Sequence, residues 1–122
     1  MAKGRDKHQN YLGALNLLGK ELARRSGRKC ELSEQSGSLV IHDLESSKVE
    51  PQLDHVVLVS ESIKATLDGG VVDATELRFL ENAVWSTVLP VRRAAVCLLE
   101  RIDEPWAKEA IDNARVMTES NE

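Results

Sequence analysis

The chain has 122 residues, enough for one domain built around one shared core. Hydrophobic residues make up 42% and aromatics only 3%, so the core must be aliphatic, while 30% charged residues give a solvated surface. No stretch reaches the roughly 20 consecutive apolar residues of a spanning helix, and the basic start Met1–Lys7 lacks the apolar run of a secretory signal, so the expected compartment is the cytoplasm with no membrane contact.

The net charge of −4 is unevenly spread. Residues 1–29 carry eight Lys/Arg against two acids, and residues 30–122 carry eight against eighteen. A basic first third on an acidic body suits nucleic acid, an acidic protein partner, or docking on its own acids.

In chain order, the first element is a helix from about His8 to Arg25. Tyr11, Leu15, Leu18 and Leu22 recur at helical spacing, with Leu12 widening the stripe. Lys20, Arg24 and Arg25 load its last turns with positive charge, which the helix dipole favours. Gly27 is placed to take a left-handed cap. Residues 30–37 read as a turn or knuckle, Ser38–His42 as a strand, residues 43–54 as a polar loop, and His55–Val59 as a second, largely buried strand. Leu39, Ile41, Val57 and Val59 are expected to face the core. Glu61–Leu67 reads as a short helix closed by Asp68-Gly69-Gly70.

Beyond the glycines, three helices are expected. Asp73 and Glu76 have capping-box spacing before Leu77, Leu80 and Val84. Pro90 suits the first turn of the next helix, which Val91, Ala95, Leu98 and Ile102 continue. Asp103 is placed to cap a last helix. Along that helix Trp106, Ala110 and Met117 share a side, with Ala107, Ile111 and Ala114 adjoining. Cys97 is expected in the core, and so are Trp85 and Trp106, since aromatics are few. The fold class is α+β. Residues 1–70 hold a helix and a small two-stranded region, and residues 71–122 a helical part sharing the same core.

Two separated segments resemble proteins of the PhnA-domain family. They are Leu18-Gly19-Lys20-Glu21-Leu22-Ala23-Arg24-Arg25-Ser26-Gly27-Arg28-Lys29-Cys30-Glu31-Leu32 and Trp85-Ser86-Thr87-Val88-Leu89-Pro90-Val91-Arg92-Arg93-Ala94-Ala95, extended by Leu99–Ile102 and Trp106-Ala107. The resemblance covers about residues 15–115. It implies a zinc-ribbon or treble-clef region with two Cys-x-x-Cys pairs. These pairs fall at Cys30 and Ser33, and at Ser60 and Ile63. Only Cys30 keeps a thiolate, and isoleucine cannot ligate, so the implied metal site is degenerate and no cofactor is expected. A weaker echo of HNH nucleases places His42-Asp43 at a general-base segment and Asp54-His55 where an asparagine is required.

Several residues carry two readings. Arg24, Arg25, Arg28 and Lys29 form the densest basic cluster, suited to phosphate or an acidic partner, or else to pairing with the protein's own acids. Cys30 is either a reactive thiol tuned by Arg28 and Lys29 or a relic of the knuckle. Cys30, His42 and His55 together would make a chemically reasonable replacement zinc set if the fold joined them. Arg92 and Arg93 stand early in a helix, where the dipole disfavours cations, so each needs an acid nearby. The function expected is non-enzymatic, a PhnA-like binding or interaction module. The alternative is a nucleic-acid-binding protein with a degenerate HNH or treble-clef fold.

Overall fold

The computed structural model describes residue 13 and residues 17–45 and 52–120. Residues 17–26 are helical (α1), followed by β1 (Leu39–Asp43) and a 3-10 turn (Leu53–His55). Next come β2 (Val56–Ser60), α2 (Glu61–Leu67), α3 (Leu80–Ala83), α4 (Leu89–Leu99) and α5 (Pro105–Ser120). The fold is α+β, with a two-stranded antiparallel sheet and a carboxyl-terminal helical part. Tyr11, Leu12, Leu15 and the middle of the expected polar loop, with Ser46, Ser47 and Pro51, lie outside the described residues.

The sheet separates two apolar layers. In an antiparallel pair, residues directly opposite each other share a face. Val40 pairs with Val59 and Ile41 with Leu58, so alternate positions of both strands look opposite ways. Val57 and Val59 pack into the main cluster with Leu80, Val84, Val91, Leu98 and Leu99 of the carboxyl-terminal helices. Val56 and Leu58 pack on the other face against Leu22 of α1. β2 is thus buried on both sides, as its unbroken apolar run implied. Each fully buried valine contributes about 1.5–3 kcal/mol of transfer free energy. One expectation is corrected here. By register Leu39 and Ile41 share the Leu58 face, across the sheet from Val57 and Val59; Ile41 packs only with the α1 cluster, while Leu39 at the strand end touches the main core as well.

The ends of the elements follow their local chemistry. Gly27 has φ +66° and Arg28 φ +63°, and Arg28 N–H donates to Ala23 O at 3.0 Å, a double left-handed stop that ends α1. At the end of α2, a Cβ on Gly70 would stand 2.8 Å from Ala65 O, so only glycine lets the chain pass. Asp73 Oδ1 accepts from the N–H groups of Thr75 and Glu76, as the capping spacing implied, although residues 74–79 form turns before α3 begins. Pro90 sits in the first turn of α4, and Val91, Ala95, Leu98 and Ile102 are all buried. Ala107, Ala110 and Ala114 are the buried stripe of α5. Because α5 opens at Pro105, Glu104 and not Asp103 directly precedes it, and Asp103 is fully exposed beside Lys108. No helix among the described residues is long and apolar enough to cross a membrane.

Candidate functional site

Residues 30–37 make a tight turn against the end of β2. Cys30 N–H donates to Gln35 O at 2.9 Å and Glu34 N–H to Cys30 O at 2.8 Å, with Glu34 at φ +64°. The Cys30 side chain is buried, and Ser33 N–H points at its sulfur from 3.4 Å. Burial pushes this thiol up. The adjacent Ser33 hydroxyl and the N–H groups of Ser33, Ser60 and Leu32 outweigh it and hold the thiol below its ordinary value. Arg28 and Lys29 are not among the causes, which corrects the expectation that they tune Cys30.

The turn and the start of α2 meet at this sulfur. Ser60, which directs its N–H at Cys30, also caps α2 by accepting from Ile63 N–H at 3.3 Å. Ile63 is 6% exposed and belongs to the same buried cluster as Cys30 and Leu32. Ser33 Oγ is buried without a hydrogen-bond partner of full geometry among the described residues. The fold therefore brings Ser33 and the Ser60 N–H to the Cys30 sulfur, while the Ser60 hydroxyl turns to Ile63 N–H at the start of α2 and Ile63 lies in the same apolar cluster as Cys30. One thiol and two hydroxyls are too poor a donor set for zinc, which takes four N or S ligands in structural sites.

Cys30, His42 and His55 do not converge. Cys30 lies at the Ser60 end of β2, and His55 precedes its other end, five residues or about 17 Å along the strand. His42 is on β1 opposite Val57. No group of three or more His, Cys, Asp or Glu among the described residues is placed to hold a metal ion. The replacement zinc set is thereby corrected.

His42 is instead engaged by α2. Lys64 Nζ stands 3.2 Å from its Nδ1 and Asp68 Oδ1 3.6 Å. A lysine ammonium only donates, so Nδ1 accepts and the imidazole is neutral. Desolvation and then the Lys64 charge push His42 below its ordinary value. With Nδ1 accepting from Lys64, the neutral ring carries its proton on Nε2. His55 Nδ1 is buried without a hydrogen-bond partner among the described residues.

The basic cluster divides. Arg25 forms a two-point ion pair with Glu31, at 2.7 and 2.8 Å, and donates to Leu53 O and Val56 O. It is a structural clamp, which corrects its place among ligand-binding residues. Arg24, Arg28 and Lys29 are exposed and have no ion pair among the described residues. Arg93 finds Glu45 at 2.6 Å. Arg92, 4% exposed, finds no acid among the described residues. Sequence reasoning noted its need for one but did not mark it as a site, because burial of α4 at that position depends on how α5 lies.

Two further expectations change. Cys97 is exposed on α4. Trp85 is 50% exposed beside a cavity of about 270 Å³ that it shares with Trp106, and the Arg78 guanidinium lies 4.8 Å from the Trp106 ring centroid. No family model, no curated protein and no solved structure matches the chain.

Proposed function

We propose that the protein is a cytoplasmic, non-catalytic binding module on a PhnA-like scaffold, whose knuckle holds itself by packing and hydrogen bonds in place of zinc. The observation that supports this reading is that Cys30 is held by Ser33 and the Ser60 N–H, with Ile63 in the same apolar cluster. These are the four positions at which the resemblance puts ligands, and Ile63 is buried hydrocarbon that offers no ligand. A structural zinc contributes on the order of 10 kcal/mol of apparent binding free energy. The double-sided burial of β2 and the Arg25 clamp replace that contribution here. The test is metal analysis of purified protein with a melt in chelator. Less than one metal per ten chains and an unchanged melting temperature are expected. A stoichiometric metal, or cleavage of nucleic acid with added divalent ions, would overturn the reading.

A second reading rests on Arg24, Arg28 and Lys29, exposed together at the end of α1. Three cations on phosphates would give a salt slope of roughly −2 to −3 for DNA or RNA binding. Absence of binding at low salt sinks it.

A further inference from the structure

Arg92 is the described arginine whose surroundings are incomplete. It stands in the first turns of α4, with Nη1 donating to Ser86 O at 2.7 Å and Nε directed at Thr118 Oγ1 from 3.4 Å. Thr118 Oγ1 donates onward to Ala114 O, so it is free to accept from Arg92. A guanidinium has five N–H donors and a permanent charge. The other arginines drawn into the fold, Arg25 and Arg93, each hold a carboxylate at hydrogen-bond distance. Arg92 is more buried than either and meets no carboxylate within ion-pair distance among the described residues. A charge buried without a counter-charge is strongly disfavoured. The positive end of the α4 dipole lies beside it and favours an anion at the same spot.

Arg92 is among the residues that line a groove of about 740 Å³ between α4 and α5. Leu89, Val96, Ile111 and Ala114 line it with hydrocarbon. Arg115 stands at the rim, 66% exposed and 3.8 Å from Asp112. The groove's own carboxylates, Glu100 and Glu119, are exposed, and Glu100 lies eight residues along α4 from Arg92, about 12 Å. Arg92, Thr118 and the exposed Glu119 thus make one end of the groove polar, Glu100 marks the other, and Val96, Ile111 and Ala114 form an apolar stretch between them.

We propose that this groove binds an organic carboxylate with an apolar body. The carboxylate is held by Arg92 and supplies the missing counter-charge. The hydrocarbon lies along Val96, Ile111 and Ala114. This goes beyond the metal-free scaffold reading and stands if that reading falls, because none of Cys30, Ser33, Ser60 and Ile63 lines the groove.

The test is calorimetric titration of the full chain with octanoate, octanamide and inorganic phosphate, repeated on Arg92→Met and Arg92→Lys. Saturable one-to-one binding of octanoate is expected, with octanamide and Arg92→Met each weaker by about tenfold or more, the scale of a charge-assisted pair. Arg92→Lys, which keeps the charge and loses the fork, falls between. Phosphate binds more weakly than octanoate, since it leaves the apolar body of the groove unfilled. Equal binding of octanoate and octanamide overturns the proposal. So does phosphate binding as tight as octanoate, or a folded Arg92→Met that binds octanoate like the wild type. Absence of saturable octanoate binding to the wild type also overturns it. If Arg92→Met does not fold, the comparison of octanoate with octanamide on the wild type decides alone.

Discussion

The Arg25 guanidinium and the Glu31 carboxylate meet at two points, and between them they tie α1, the knuckle and β2 together. Arg25 reaches the carbonyls of Leu53 and Val56, while Glu31 Oε1 also accepts from Leu58 N–H at 2.8 Å. The side chains are 16% and 3% exposed, so this pair is desolvated enough for its loss to matter.

Arg25→Ala leaves the Glu31 charge buried beside a strand. A loss of about 3 kcal/mol is expected in urea unfolding monitored by circular dichroism. Arg25→Lys keeps the charge but not the fork, and its loss is smaller. A loss under about 0.5 kcal/mol for Arg25→Ala would place the pair with ordinary surface ion pairs.

His42 gives the stability an acid dependence. Its folded pKa lies below the ordinary value of about 6.5, because desolvation and Lys64 disfavour the imidazolium. The unfolded chain therefore binds the proton more readily than the folded one. Stability from this group is complete above about pH 6.5 and declines as pH falls from there toward the depressed folded value. His42→Gln removes that part of the slope. Unfolding midpoints measured from pH 7.5 to 5 decide it, and an unchanged slope in the variant assigns the acid sensitivity to other groups.

The two cysteines are expected to react at different rates. Cys97 is exposed and Cys30 buried, so a disulfide reagent labels one thiol at once and the second only on the timescale of opening. Cys97→Ser abolishes the fast phase. A fast phase that survives in Cys97→Ser shows that the knuckle opens readily.

Restoring cysteine at Ser33, Ser60 and Ile63 together tests the knuckle reading directly. The triple variant is expected to lose about 1–3 kcal/mol without metal, as the Ile63 side chain is cut back and the Ser60 cap altered. It then takes up one zinc per chain with a rise in melting temperature. A triple variant that takes up no zinc removes the geometric basis of that reading.

The legibility of the sequence varied with how local each signal is. Ser60 caps α2 and the glycine pair closes it, so Glu61–Leu67 was readable to the residue. The α4 stripe at Val91, Ala95 and Leu98 was equally plain, although the helix ends at Leu99 and Ile102 is buried beyond it. Ile41 lies on the face opposite Val57 and Val59 because strand register depends on how the loop between the strands is closed, and alternation alone does not fix it. Cys97 was drawn into the core by a nearly continuous apolar run from Ala94 to Leu99, in which the groove side of the helix looks no different from the buried side. Trp85 follows α3 in a turn, where no period tells inside from outside. In the basic cluster, composition could not distinguish Arg25, which folds inward on Glu31, from Arg24, which does not.

Glu31 has one more consequence. Its backbone N–H donates to Leu58 O while its carboxylate accepts from Leu58 N–H, so the free margin of β2 is closed at its middle by a single residue. An apolar strand with an open margin invites a strand from another molecule. With Arg25 on Val56 O and the Cys30 sulfur facing Ser60 N–H, Glu31 thus leaves the margin of β2 covered along its length. Variants that neutralise Glu31 should lose monomer stability through the unpaired Arg25 and also aggregate more readily.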